Sequence, residues 1–301
     1  MRIAEEVSHA IGNGRPVVAL ESTLLAHGLP AGRNFKVARR IEAVIRDAGA
    51  VPATIAVLDG TPVVGLSAAQ LERLCDEGAT MPKLSLRDLG PAIARRSSGA
   101  TTVAATCVLA RAAGIGVFAT GGLGGVHLAV DGSSTTWDVS ADLGTLATTP
   151  VLVVCSGVKS MLDIEATLEV LETYSVPVLG YRTDDFPAFY LRSSGYPVPW
   201  RVDDPAAAAA VFEAHRAHAT SGMVLANPVP PEFEMDSDRH DELLADGLAL
   251  VRANDIRGSA VTPALLEHFH TASDGVSIAT NEALVLANAE LAASVAVRLA
   301  S

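Results

Sequence analysis

The stretch VLVVCSGVKS, residues 151–160, passes from an apolar run into Cys155-Ser156-Gly157 and then presents an amine, Lys159. An apolar run without polar alternation reads as a strand buried on both faces, as in parallel sheets covered by helices. From Ser160-Met161-Leu162-Asp163 onward a helical pattern begins, with Ile164, Leu168 and Leu171 on one face. The reading is strand, turn, helix, with Lys159 at the junction. A helix N-terminus exposes unpaired N–H groups and the positive end of the macrodipole, a poor place for an ammonium. Two roles fit a lysine there. Either it bends into solvent or pairs with Asp163 at i+4 spacing, or it acts as a free amine that attacks carbonyls to form Schiff bases, at the strand end where open α/β sheets bind ligands.

The same unit recurs along the chain. Apolar runs appear at PVVAL (16–20), ATIAVL (53–58), KLSL (83–86), GVFAT (116–120), VPVLGY (176–181) and GMVLAN (222–227), mostly separated by helical periodicity. FKVARRIEAVIRDAGA places Val37, Ile41, Val44, Ile45 and Ala48 on one face and stops at Gly49. Asp59-Gly60 between two apolar runs reads as a hairpin turn. The C-terminal third reads as helices near 238–256, 262–272 and 280–300, and the proline-rich stretches 193–205 and 227–238 as surface loops or a lid. The pattern predicts one α/β domain over 1–301, a three-layer α/β/α fold on a mixed, mainly parallel sheet.

With 301 residues and 49% hydrophobic content the chain can bury a large core. A formal charge of −12 and a pI near 5.1 argue against nucleic acid or an anionic membrane as the main partner, since either requires a basic surface. A small anionic substrate needs only a few buried cations. Three cysteines support neither a disulfide framework nor a zinc cage and fit a cytoplasmic location. The N-terminus MRIAEEVSHAIGNGRP lacks the pattern of a signal peptide, and no apolar stretch reaches spanning length.

Several short stretches carry polar groups at strand ends. FATGGLGGVH holds Gly121, Gly122, Gly124 and Gly125 between Thr120 and His127, and reads as an anion site made of backbone N–H groups or as a tight turn. TTWDVSADL offers Asp138, Ser140 and Asp142, either as oxygen ligands for a hard divalent cation or as helix caps. Glu21 follows the buried strand PVVAL, where partial desolvation suits a general acid or base, though a cap or salt bridge is equally ordinary. MPKLSLRDLG sets Lys83 and Arg87 beside a short strand, as phosphate ligands or as solvated cations. There is no nucleophile elbow.

Taken in order, ALESTLLAHGLP, AVPATIAVLDG, GATTVAAT, VFATGGLGGVH, DVSADL, VVCSGVKSMLDI and PAFYLRSSG resemble the pseudouridine-5'-phosphate glycosidase family, from about Pro16 to Asn288. The resemblance implies an α/β/α fold, a homotrimer, a divalent manganese-type ion (Mn2+) and a Schiff-base lysine. It implies Lys159 as nucleophile, Glu21 as acid/base group, Asp138 as metal ligand, and Ser140 and Asp142 as contacts to substrate or metal-bound water. Lys83, Val103, Thr120 and His127 become sugar-phosphate contacts and Asn281 a contact near the base. The partners implied are a small phosphorylated sugar and a planar aromatic or nucleobase ligand. A C-glycosidic bond leaves through carbon, so protonating an oxygen, as the two-carboxylate glycosidases do, does not release it. An iminium on Lys159 provides the electron sink that such a bond requires.

The chain departs from the family pattern near the acceptor. Leu128 and Leu86 stand where GGVHRG and KVSRRDL carry two arginines, LAVDGSSTTW is long and carries Trp137, and HGLPAGRNFK alters the approach to the first helix. These departures motivate an alternative, a biosynthetic C-glycosynthase joining ribose 5-phosphate to a polycyclic aromatic acceptor. A Schiff-base sugar-phosphate aldolase and a phosphosugar-binding module without catalysis are the further alternatives.

Overall fold

A computed structural model, describing residues 1–128 and 137–301, builds the chain outward from the strand that precedes Lys159. The first half supplies β1 (Arg2–Ile3), α1 (Glu5–Gly12), β2 (Val17–Leu20), α2 (Thr23–His27), α3 (Asn34–Asp47), β3 (Val51–Leu58), β4 (Thr61–Val64), α4 (Ala68–Glu77), β5 (Lys83–Leu84), α5 (Leu86–Ala94), β6 (Gly99–Thr101), α6 (Val103–Ala112) and β7 (Val117–Ala119). The second supplies β8 (Val126–His127), α7 (Ala141–Leu146), β9 (Leu152–Cys155), β10 (Leu162–Asp163), α8 (Ile164–Thr173), β11 (Val178–Tyr181), β12 (Trp200–Val202), α9 (Pro205–Arg216), β13 (Met223–Ala226), α10 (Ser237–Ala253), α11 (Val261–Ala272) and α12 (Val276–Leu299). Most of LAVDGSSTTW lies outside the described residues.

Eleven of the described strands form one sheet, whose main path runs β1-β4-β3-β2-β7-β9-β13-β11-β12, with β6 pairing β3 and β5 to the side. From β3 to β12 along this path every pair is parallel, whereas β4 and β6 meet β3 antiparallel, so the sheet is mixed and mainly parallel. The central strands β2, β7, β9 and β13 are buried at every residue, which explains their unalternating apolar sequences. Helix α12 packs on β2, β7 and β9 between α3 and α9, while α6 packs on β2 and β3 and against α7. These layers are the expected three-layer α/β/α arrangement. The Asp59-Gly60 hairpin is present as β3–β4, with Leu58 opposite Thr61.

Three local readings change. The helix after Lys159 begins only at Ile164, because Leu162-Asp163 pair with Val126-His127 as β10 and the Asp163 carboxylate caps the Ala166 N–H. Lys159 therefore lies in a loop ahead of the helix, and Asp163 is engaged as a cap rather than as its ion-pair partner. KLSL is a strand only through Leu84, since Ser85 and Asp88 form a capping box that starts α5. Within the stretch 193–205, Trp200–Val202 join the sheet as β12, so that segment is an edge strand and not a lid.

Candidate active site

The order β3-β2-β7 places a topological switch point between β2 and β7: the chain leaves β2 toward β3 on one side and returns through β7 on the other. Parallel sheets open a crevice at such a point, beyond the strands' C-terminal ends. Glu21 leaves β2, the glycine loop leaves β7 and Lys159 follows β9, three adjacent parallel strands. All three features border one cavity of about 390 Å³, to which Lys83, Val103, His127 and Asn281 also contribute.

Glu21 is gripped from two sides. The Thr120 hydroxyl donates to Oε1 and the Thr23 hydroxyl to Oε2. Burial pushes its pKa upward, against the pull of the Lys159 ammonium and the two hydroxyls. Such a carboxyl keeps its proton to a higher pH than an exposed one, as a general acid needs. Thr120 itself is 1% exposed and its hydroxyl is engaged by Glu21.

Lys159 is half-buried, with its backbone N–H donated to the Leu123 carbonyl at 3.2 Å. Its positive charge reaches Glu21, Lys83 and His127. Lys83 is exposed into the cleft, yet protein atoms crowding its head lower its pKa, and repulsion from Lys159 adds to this. Burial likewise lowers the His127 pKa, with Asp138 opposing and Lys159 reinforcing the shift. The site thus gathers cations that an anionic ligand would neutralise. Arg87 lines the same cavity with its side chain 88% exposed, 3.7 Å from Asp88.

Several N–H groups of the glycine loop are engaged within the protein. The Gly124 N–H donates to Asp142 Oδ2 at 2.9 Å, Leu123 N–H to the Gly157 carbonyl and Val126 N–H to Thr167 Oγ1. Asp142, whose other oxygen takes the Ala104 N–H at 2.9 Å, ties the loop to the first turn of α6. A Cβ at Gly124 would stand 2.4 Å from Ser140 Oγ, which explains a glycine there by space alone. Ser140 caps α7 by accepting the Asp142 N–H. Both residues line the cavity, as does Asp138, whose Oδ2 lies 3.6 Å from His127 Nδ1. Among the described residues no group of three or more His, Cys, Asp or Glu is placed to hold a metal.

Asn281 on α12 is 2% exposed and lines the cavity; its Nδ2 donates to the Gly28 carbonyl, while Oδ1 has no partner. The cavity-lining His27 Nε2 and Thr102 Oγ1 are also buried without partners. Buried polar atoms are seldom left unsatisfied, so these three are open to a partner from the cavity. Two further residues fasten the elements around the site. Asn288, 0% exposed, donates to the Thr120 carbonyl at 2.9 Å and accepts from Asn227 at 3.0 Å, fastening α12 to the ends of β7 and β13. Ser22, also 0% exposed, accepts the Thr101 N–H at 2.8 Å and joins the turn after β2 to β6. An asparagine inside the apolar run of α12 was the only available signal for the first.

A deep carboxylic acid beside a lysine amine, at the switch point of a doubly covered sheet and with cations converging, defines an enzyme site for an anionic carbonyl compound. The chain belongs to the indigoidine synthase A-like family, matching the description "Indigoidine synthase A like protein" over residues 6–298. It is 54% identical to a pseudouridine-5'-phosphate glycosidase of Salinispora tropica, covering 100% of this chain and 92% of the relative, and 53% identical to one of Herpetosiphon aurantiacus, covering 99% and 97%. Among solved structures, the prealnumycin C-glycosynthase AlnA in complex with ribulose 5-phosphate is 39% identical with a TM-score of 0.91, covering 99% of this chain and 96% of that one. An indigoidine synthase A-like protein of Thermotoga maritima is 36% identical with a TM-score of 0.88, covering 96% and 94%.

Proposed function

We propose that the protein is an enzyme that reversibly cleaves and forms the C–C bond between ribose 5-phosphate and a planar base, with pseudouridine 5'-phosphate giving uracil and ribose 5-phosphate. The observation that carries this is Glu21, its pKa raised by burial, set close enough to Lys159 to feel its charge in one cavity. Relatives named pseudouridine-5'-phosphate glycosidase at about half identity over the full chain support the choice of substrate.

In the cleavage direction the neutral Lys159 amine adds to C1' as the C1'–O4' bond breaks and the ribose ring opens, and the proton lost from its nitrogen goes to O4'. The nitrogen lone pair then expels the ring carbon, which keeps the bonding pair and takes the proton held by Glu21. Water hydrolyses the resulting iminium, releasing ribose 5-phosphate and free Lys159. Lys83 and the first turn of α6 at Val103 serve the phosphate, whose binding energy orients the sugar. Asn281 Oδ1, unpartnered and beside the glycine loop, serves a donor on the base.

A divalent manganese-type ion fits this donor set in one form: Asp138 as the sole carboxylate ligand with water completing the shell, a mode hard divalent cations accept. Bound there, it would supply positive charge next to the sugar. A homotrimer and a cytoplasmic location belong to the same reading; among the described residues no helix is long and apolar enough to cross a membrane. C-glycosynthesis on a larger aromatic ring is the second reading, favoured by the likeness to the prealnumycin C-glycosynthase.

Borohydride reduction in the presence of ribose 5-phosphate tests the covalent step. The expected result is a stable adduct on the Lys159 peptide that Lys159→Ala loses. An adduct elsewhere, or none, would contradict it.

A further inference from the structure

We propose that His240 is a positioning residue for Lys159, acting through Ser160; this rests on Lys159 being the nucleophile. Lys159 lies outside both helix and sheet, between β9 and β10. On one side its backbone is tied to the glycine loop through the Leu123 carbonyl. On the other, the next side chain, Ser160 Oγ, lies 2.8 Å from His240 Nε2 on α10. Both partners are buried, Ser160 at 7% and His240 at 4% exposure. His240 Nδ1 is 3.1 Å from Asp241 Oδ1, and a carboxylate only accepts, so Nδ1 carries the hydrogen. In the neutral ring Nε2 is then the acceptor and the Ser160 hydroxyl the donor.

The ring is held in turn. It packs on Phe269 of α11 at 5.6 Å between centroids, Phe269 stacks on Tyr190 at 5.4 Å, and Tyr190 meets Phe189 edge-on at 4.8 Å. Phe189 lines the cavity and packs on Gly122, closing the chain back on the glycine loop. The Lys159 loop is thus fastened at two points to two bodies that are themselves joined by aromatic packing. Carbonyl attack depends on approach geometry, and a displacement of about 1 Å costs about 10²-fold in rate. The phosphate contacts Lys83 and Val103 come from β5 and α6 and stand apart from this chain.

The test compares His240→Leu, His240→Gln and Ser160→Ala, alone and combined, by the rate of borohydride-trapped adduct with ribose 5-phosphate, its Kd and the melting temperature. His240→Leu and Ser160→Ala are each expected to slow trapping about 10- to 100-fold with Kd changed less than about 2-fold. The double variant His240→Leu/Ser160→Ala is expected to be no slower than either single one. His240→Gln, whose amide reaches where Nε2 stood, is expected to recover most of the rate. Trapping in His240→Leu at the native rate, additive slowing, or no recovery in His240→Gln would overturn the proposal while leaving the nucleophile in place. No adduct in the unsubstituted protein would remove the nucleophile and the positioning role together.

Discussion

Glu21 is stabilised as the acid and not as the carboxylate, and this has a measurable sign. Its pKa in the folded chain lies above the unfolded value, so its contribution to stability is present at low pH and is lost as pH rises through the folded pKa. Glu21→Gln, which cannot ionise, should therefore melt higher than the native protein near pH 8 and gain little near pH 4, while losing about 10²- to 10⁴-fold in cleavage. Thermal melts across that range check it; an equal gain at both ends would contradict the burial effect. Asp138 carries a second prediction: chelation lowers activity and manganese restores it, with Asp138→Asn requiring about 10- to 100-fold more metal for half-activation. Metal titration followed by activity and by calorimetry decides this. The sequence made Glu21, Lys159 and Lys83 legible because each stands at an end of an apolar strand. The Thr120–Glu21 bond was not legible, because the two residues are 99 apart in the chain.

At the scale of elements, the turn after β9 depends on Gly157, which has φ +74° and would put a Cβ 1.9 Å from the Pro187 carbonyl oxygen. Gly157→Ala should cost roughly 3 kcal/mol or more in denaturant unfolding and disturb the Lys159 loop. A midpoint close to that of the native protein would show that the turn relaxes freely. Helix α11 brings Thr262, Pro263 and Leu266 to the cavity, with Phe189 and Leu24. This helix, and not the proline-rich stretches 193–205 and 227–238, lines the cavity. Leu266→Trp should lower kcat/KM for pseudouridine 5'-phosphate about 10-fold through KM, with adduct formation from ribose 5-phosphate alone unchanged. A change in adduct formation would move the residue to the sugar side. Periodicity identified the strands well, since burial on both faces leaves a plain apolar run. It failed after Lys159, where Met161 and Leu162 are buried by a short strand and mimic the start of a helix. It could not reveal that Asp142 takes the Gly124 N–H, since that contact joins separate turns.

Over the whole molecule, the switch point between β2 and β7 assembles one site from elements spread between Glu21 and Asn281. The alternation of apolar runs and helices made the layers legible, but the strand order, and hence the place where the crevice opens, rests on pairing that no local pattern records. Asn288 shows the same limit: one buried amide in α12 ties the ends of β7 and β13, and its partners lie 61 and 168 residues away. The most direct test is mass-resolved product analysis with purified protein, manganese, ribose 5-phosphate and uracil, alongside Lys159→Ala. The expected result is pseudouridine 5'-phosphate from the native protein and none from the variant. No product with uracil, but a ribosyl-phosphate adduct on a polycyclic phenol, or fragments of the sugar's own carbon chain, would contradict pseudouridine 5'-phosphate as the substrate.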